Sequence, residues 1–428
     1  MAAHSNISKC DGACRSEQDR GMSIGPLSSV DEALDLLLDH ARPVVETEQV
    51  PLIEAPGRIL SEDLRAGMNV PPADNSAVDG FALRARDVGD DGVTTLQVTQ
   101  RIATGETGRS LQPGTAARIF TGAPIPPGAD AVVMQEHCRM DGEQVVIMQR
   151  AVPGAHVRRA GEDIRAGARV LRAGRRLRPQ DIGVAASVGV STMNVRRRVR
   201  VGILSTGSEL IEPGERAGPG QIYNSNRYTL HALLGSMGCI VVDRGIVPDG
   251  FELTRSTLAE LSGEVDFVIS TGGVSVGEED HVRTALESLG RILLWGVAIK
   301  PGKPIVFGSV GESAFLGLPG NPVALYVAFC IFARAFILAT QGCSDIHIRP
   351  TVVAAGFNAP RPANRREYLR ARLVGGPNGA QHAVLYDNQS SGVLTSTVWS
   401  DGLVVVPTGG TVQLGDPVAY FSNAELTA

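Results

Sequence analysis

Apolar residues recur at helical spacing early in the chain, where Leu34, Leu37, Leu38 and Ala41 follow Ser29-Val30-Asp31-Glu32. The serine and the glutamate three residues later form a capping box that starts a helix, and Arg42-Pro43 ends it, because the residue before a proline is pushed out of the α region. From Asn69 to Gly161 the pattern shifts to short β-rich runs, among them 95–99, 131–134 and 144–148, parted by glycine and proline clusters. A helical patch at 180–188 resumes the earlier style, which makes the β-rich unit an insertion into a discontinuous first domain. From Val199 strands (199–205, 240–246, 266–270) alternate with helices (227–237, 252–261, 280–289), a pattern that predicts a parallel sheet with helices on both faces. Two short strands, 305–308 and 314–318, precede an apolar helix at 322–339, and from Ile346 short strands broken by Gly, Asn and Asp predict a separate β domain.

The chain has 428 residues, enough for about three domains. The expected fold class is multidomain α/β: a tail at 1–26, a discontinuous domain of 27–68 and 162–196, an inserted β-rich domain at 69–161, a central parallel α/β domain at 197–343 and a C-terminal β domain at 344–428. With 43% hydrophobic and 20% charged residues, the composition excludes disordered and fibrous classes. The apolar run at 323–339 is interrupted by Arg334 and falls short of the ~20 residues of a membrane span, so it reads as a buried helix. The first twenty residues are polar, without a signal-peptide core, and predict a cytoplasmic protein. Six scattered cysteines predict no disulfides, and Cys10 and Cys14 lack the second pair that a zinc site needs.

A net charge of −5 argues against a general nucleic-acid binder, although thirteen arginines crowd residues 150–200. Solvated faces and linkers account for most of them, with part of that surface available to attract an anion. Lysine is more informative. The chain has only Lys9, Lys300 and Lys303, two of them within Lys300-Pro301-Gly302-Lys303-Pro304. A compact ammonium approaches a small oxyanion where a broad guanidinium does not fit, which makes these two lysines candidate oxyanion donors.

Four loops follow strands of the α/β segment, at 205–209, 247–250, 270–280 and 317–322. In such sheets ligands sit beyond the carboxyl ends of the strands. Glycines such as Gly272 and Gly273 let backbone amides close on a phosphate, although neither a Walker loop nor a dinucleotide fingerprint is present. Glu209, Asp249 and Asp280 bring three carboxylates to the same edge. Singly each reads as a helix cap; together they suit Mg²⁺ bound to phosphates.

These residues closely resemble the MoeA family of molybdopterin molybdenumtransferases, to which the gephyrin E domain is related. The stretches that carry the resemblance are DNSAVDGFA at 74–82, FTGAPIPPGADAVVMQE at 120–136, GEDI at 161–164, LSTGSEL at 204–210, GQIYNSN at 220–226, STGGVSVGEED at 270–280, KPGKP at 300–304 and GLPGNPV at 317–323. The resemblance implies a four-domain subunit in an elongated homodimer, with the active site in a cleft between subunits and the discontinuous first domain serving as linker and dimer contact. It implies molybdate and adenylated molybdopterin as substrates, metal insertion at the dithiolene, release of AMP and a need for Mg²⁺, with other proteins of molybdenum cofactor biosynthesis as partners and neither nucleic acid nor membrane. By motif position, Glu209, Gly272, Gly273 and Ser275 would hold the nucleotide end, and Asp249 and Asp280 the metal. Asp79 and Thr121 would reach in from the opposing subunit. Lys300, Lys303, Arg370 and Ser391 would line the molybdate and dithiolene side, with Pro319 and Pro322 shaping the loop between.

Two positions depart from the pattern: Gly296, where a basic residue is common, and Ala324, where serine is common. If residue 296 lay on one strand face with Lys300, its lack of charge would weaken the oxyanion pocket. The alternative function is a non-catalytic or tungstate-preferring member that acts as a binding scaffold.

Overall fold

The computed structural model describes residues 27–90, 92–274, 281–376, 379 and 381–427. The tail with Cys10 and Cys14 lies outside the described residues, as do Ser275 and Asp280. The first helix, Val30–Asp39, opens on the capping box: Ser29 Oγ accepts the Glu32 amide at 3.2 Å and the Ser29 amide donates to Glu32 Oε2 at 2.8 Å. Its buried face of Val30, Ala33 and Leu37 packs into the core of the α/β unit. The two stretches that flank the β-rich insertion pair with each other. Thr47–Pro51 runs antiparallel to Thr192–Arg196 and Leu64–Arg65 to Arg169–Leu171, enclosing a small core that includes Val50, Leu171 and Val195.

The inserted unit is a six-stranded sheet in the order Ala131–Met134, Gly80–Leu83, Thr115–Ile119, Val93–Ile102, Gln144–Met148, Cys138–Asp141. Side chains alternate between its faces, so Phe81 and Leu83 enter one core and Ala82 the other.

The central sheet has the order Ile240–Val247, Arg200–Thr206, Phe267–Thr271, Ser313–Leu318, Val306–Val310, Gly290–Trp295. The first four strands are parallel, and the last two run antiparallel to their neighbours. The sheet is therefore mixed rather than wholly parallel. Two residues, Gly311 and Glu312, join Val306–Val310 to Ser313–Leu318, and a parallel crossover needs about a dozen. Gly311 takes φ +56° in that turn.

The one helix among the described residues long and apolar enough to cross a membrane, Pro322–Thr340, is instead 89% buried within the protein. It bears a π turn at Phe329–Ala333. Phe336 stacks between Phe267 and Phe307 at centroid distances of 4.6 and 5.5 Å, joining helix to sheet.

The C-terminal sheet runs Ile299–Lys300, Arg366–Gly375, Gln381–Leu385, Thr351–Ala355, Pro417–Ser422, Gly402–Val406, and the last strand pairs back onto Arg366–Gly375 to close it. Its first strand comes from the loop region of the α/β unit, so the two units share backbone hydrogen bonds. The four described cysteines, Cys138, Cys239, Cys330 and Cys343, are free thiols, and burial pushes Cys239 up to about 12.

At the opposite edge of the central sheet Asp266 fastens the incoming chain. Arg197 donates to both its oxygens at 2.8 Å and the Arg200 amide adds a third bond at 2.8 Å. Burial pushes this carboxyl up, but the Arg197 and Arg200 bonds outweigh it and leave it below the usual range. A depressed carboxyl stabilises the fold fully above its unfolded value of about 3.9 and progressively less as pH falls through the folded value. Asp266→Asn is therefore expected to cost about 1.5 to 3 kcal/mol near neutral pH. The difference in melting temperature from the parent shrinks as the pH is lowered below 4; a constant difference would refute the charge-based account.

Candidate functional site

A groove of about 680 Å³ opens between the carboxyl edge of the central sheet and the C-terminal unit. On the sheet side it is lined by Thr206, Glu209, Asn226, Thr271, Gly272 and Pro319, and facing these by Lys300, Arg365, Gln389 and Ser391. The glycine loop is built by close approach. Gly272 and Gly273 have φ of +86° and +63°, and a Cβ on Gly272 would lie 2.6 Å from the Thr206 carbonyl oxygen. One on Gly273 would lie 2.5 Å from Val282 Cγ2 and 2.8 Å from Thr206 Oγ1. Only glycine lets this loop cross the end of the neighbouring strand.

Asn226 ties the strand ends together. Its Nδ2 donates to Thr271 Oγ1 at 2.8 Å and to the Gly320 carbonyl at 2.7 Å, while its Oδ1 is buried with no protein partner among the described residues. Asn224 starts the same helix, Ser225–Ser236, by accepting the Arg227 amide at 3.2 Å. The sequence pattern alone marked this stretch only through resemblance, because an asparagine before a helix reads as a cap.

The carboxylates frame the 206–209 loop. Glu209 folds back over Gly207, whose φ is +144° and where an added Cβ would lie 2.6 Å from Glu209 Oε2. Asp249, exposed beyond Ile240–Val247, accepts the Ser208 amide at 2.8 Å. Among the described residues no three acidic, histidine or cysteine side chains gather as a metal cluster.

On the other wall, Lys300 Nζ is 2.9 Å from Glu367 Oε1, and Arg365 donates to the Ile299 carbonyl at 3.1 Å. Arg370 does not line the groove. It is fully buried, donating to Ser396 Oγ at 3.1 Å and to the Ser390 carbonyl at 3.2 Å, and burial pulls its guanidinium down to about 10. It thereby holds the turn that presents Ser390 and Ser391. The Ser391 carbonyl in turn accepts the Val323 amide at 3.0 Å, behind Pro322 at the start of Pro322–Ala328. Lys303 is exposed outside the groove, and its carbonyl accepts the Val297 and Ile305 amides. Arg365, Gln389 and Ser390 were not marked by the sequence, since one more arginine carries no contrast in an arginine-rich chain.

Gly296 corrects one expectation. It has φ +83° just past the strand Gly290–Trp295, and its amide donates to the Ile305 carbonyl at 2.8 Å, whereas Lys300 belongs to the C-terminal sheet. The two positions share no strand face.

Asp79 and Thr121 form a separate polar centre in the β-rich unit. Thr121 donates to Asp79 Oδ1 from its amide at 2.8 Å and from its hydroxyl at 2.7 Å. Those two bonds, aided by the charge of Arg118, keep the Asp79 carboxyl below its usual range. Arg118 lies between Phe81 and Phe120, at 5.1 and 4.9 Å from the ring centroids.

Three family models match the chain in order: "MoeA N-terminal region (domain I and II)" over residues 28–189, "Probable molybdopterin binding domain" over 202–339 and "MoeA C-terminal region (domain IV)" over 352–422. A relative from Haemophilus influenzae, "Molybdopterin molybdenumtransferase", is 35% identical over 394 residues, covering 91% of this chain and 97% of its own. "Molybdopterin molybdenumtransferase 2" of Mycobacterium tuberculosis is 36% identical over 389 residues, covering 86% of this chain and 94% of its own. A solved structure of the "molybdopterin biosynthesis moeA protein" from Pyrococcus horikoshii superposes with a TM-score of 0.80 at 30% identity, covering 92% of this chain and all of that one.

Two substitutions test this geometry. Gly273→Ala must strain the backbone and displace Val282 or Thr206, so it is expected to lower stability by about 1 to 3 kcal/mol and to abolish ligand binding at this edge. Calorimetric melting and ligand titration on one preparation check both. Gly296→Lys meets an unfavourable φ, so a loss of about 1 to 2 kcal/mol with no gain in oxyanion affinity is expected; tighter oxyanion binding would restore the shared-face reading.

Proposed function

The chain belongs to the MoeA family, and on that premise we propose that the groove holding Glu209, Gly272, Lys300 and Ser391 is where molybdenum is passed to molybdopterin. Its activity is that of a molybdopterin molybdenumtransferase, a transferase of molybdenum cofactor biosynthesis. The observation that carries the assignment to the groove is the pairing of two unlike walls. One is a glycine-lined strand edge with backbone suited to phosphate, the other a cationic wall with a rare lysine.

The substrate form is adenylated molybdopterin, and AMP leaves when molybdenum enters at the dithiolene. Glu209, Gly272 and Gly273 take the nucleotide end, with Ser275 from the same loop. Molybdate lies toward Lys300 and Ser391. Lys303 adds positive charge from outside the groove, Pro319 and Pro322 shape the loop between, and Arg370 acts by holding the 390–391 turn. Asp249 beside the 206–209 loop, together with Asp280, which lies outside the described residues, would hold Mg²⁺ through carboxylate oxygens, with Glu209 on the same loop. When bound the cation neutralises charge on the phosphates.

A homodimer completes the site, each subunit lending Asp79 and Thr121 to its partner's groove. Supporting this, Thr121 holds the Asp79 carboxylate in place and favours its ionised form, yet neither residue lines the groove of its own chain. The free thiols suit the reducing cytoplasm. We divide the chain into the four domains set out from the sequence, supported by the separate cores of the inserted unit, of the paired flanking stretches and within the C-terminal sheet, while the first helix and part of the C-terminal unit also share the core of the α/β unit. Names of transferases among the relatives favour catalysis over a scaffold role.

The direct test follows AMP release from adenylated molybdopterin with molybdate and Mg²⁺; no release with all three present would sink the assignment. Lys300→Arg keeps the charge but changes its shape, and is expected to weaken molybdate use by roughly tenfold to a hundredfold, the equivalent of one charge-assisted hydrogen bond. The shared site predicts complementation as well. Asp79→Ala and Lys300→Met are each nearly inactive, whereas subunits of the two exchanged in equal amounts recover about a quarter of parental activity, because half the dimers carry one intact site. No recovery after verified exchange would place Asp79 and Lys300 in the same subunit's site.

A further inference from the structure

The Lys300 ammonium is not free in the groove. It lies 2.9 Å from Glu367 Oε1, and the two residues are direct register partners in the short parallel ladder that pairs Ile299 with Arg366 and Lys300 with Glu367. The carboxylate side chain is 19% exposed and the lysine 53%. The segment carrying Glu367 is held on both sides of the ladder. Arg365 donates to the Ile299 carbonyl at 3.1 Å, and Arg366 grips both oxygens of Asp31 on the first helix at 2.7 and 2.6 Å. The more buried and more firmly anchored member of the pair is therefore the acid, and the mobile member is the lysine.

Resting on the assignment of Lys300 to molybdate, we propose that Glu367 is a positioning residue, an internal counter-ion that competes with the oxyanion for the Lys300 ammonium and so sets how tightly molybdate is held. A carboxylate within hydrogen-bond distance cancels most of the ammonium's field beyond the pair. Arg365, satisfied by a neutral carbonyl, keeps its full charge toward the same groove. An arriving dianion thus meets one open cation and one masked cation, and binding it to Lys300 means breaking the lysine's bond to Glu367. That exchange makes the hold on molybdate reversible, which a donor site needs when its cargo must move on to the dithiolene. Stability does not explain the pair, since half-exposed ion pairs contribute little.

The test uses full-length protein and sodium molybdate, titrated calorimetrically at low and high salt, with AMP release measured on the same preparations. Glu367→Gln is expected to tighten molybdate binding by roughly threefold to tenfold at low salt, with a steeper salt dependence, because the unmasked ammonium is a screened, partly exposed charge. The KM for molybdate falls while kcat also falls, since the lysine is no longer held in place. Lys300→Met weakens binding, and adding Glu367→Gln to it changes nothing further, as required if the carboxylate acts through the lysine. Unchanged or weaker binding by Glu367→Gln overturns the proposal, as does an equal gain in the Lys300→Met background, which would mean a general field effect. If Lys300→Met binds molybdate like the parent, the assignment of Lys300 fails and the proposal falls with it; weakening by Lys300→Met without a gain in Glu367→Gln removes the counter-ion role alone.

Discussion

The two-residue ladder between Ile299–Lys300 and the start of Arg366–Gly375 is the constraint on which the groove depends. Sheet edges attract further strands, and here the edge of the C-terminal sheet is capped by a segment that belongs in sequence to the α/β unit. Four backbone positions thereby fix the separation of two walls that share no other strand pairing among the described residues. Arg366 extends the clamp to the first helix through its bidentate bond to Asp31, and the Ala298 amide donates to the Ser28 carbonyl at 2.8 Å just ahead of that helix. Three chain segments far apart in sequence thus meet at one junction beside the groove, where a small shift in any of them moves Lys300 relative to Gly272.

Such a junction needs a stiff support, which the apolar helix Pro322–Thr340 supplies from beneath. Its residues reach the same core as the first helix and the central strands, and part of the C-terminal unit, through Tyr368 and Leu403 of the sheet and Leu426 of the closing helix, joins that core as well. One continuous core therefore underlies both walls. Burial of Arg370 follows the same logic at a cost. A guanidinium withdrawn from water must find acceptors, and it finds carbonyl and hydroxyl oxygens of the 390–396 turn. Those bonds convert an expensive group into a rigid brace for the wall that presents Ser391.

Local features of the fold were legible in the sequence where a short stretch contains its own cause. The Ser29 to Glu32 capping box, the alternating strands of the β-rich unit and the apolar helix are of this kind. The antiparallel half of the central sheet was not, because the hairpin depends on a two-residue turn at Gly311 that composition does not distinguish from a loop, and the strand Gly290–Trp295 follows a helix without punctuation. In the candidate site, scarcity made Lys300 and Lys303 equally visible, yet the structure seats one in the groove and the other outside it. Glu367 escaped notice because its partner lies 67 residues away, and nothing near Glu367 in the chain marks it as the neighbour of a lysine.

The separation between the Asp79 centre and the groove has a physical sense of its own. An aspartate placed permanently beside phosphates and molybdate would repel them, and one left unsupported in a closing cleft would take up a proton as it lost water. Holding Asp79 ionised through Thr121 and Arg118 while keeping it out of its own chain's groove avoids both. In the proposed dimer its negative charge would meet the anionic substrates only on a second subunit's approach, with the proposed cation offsetting the repulsion. The lysine side shows the complementary device, a cation masked by Glu367 until an anion arrives. Each of these two charges is thus held by a local partner before substrate enters, so neither is left unpaired.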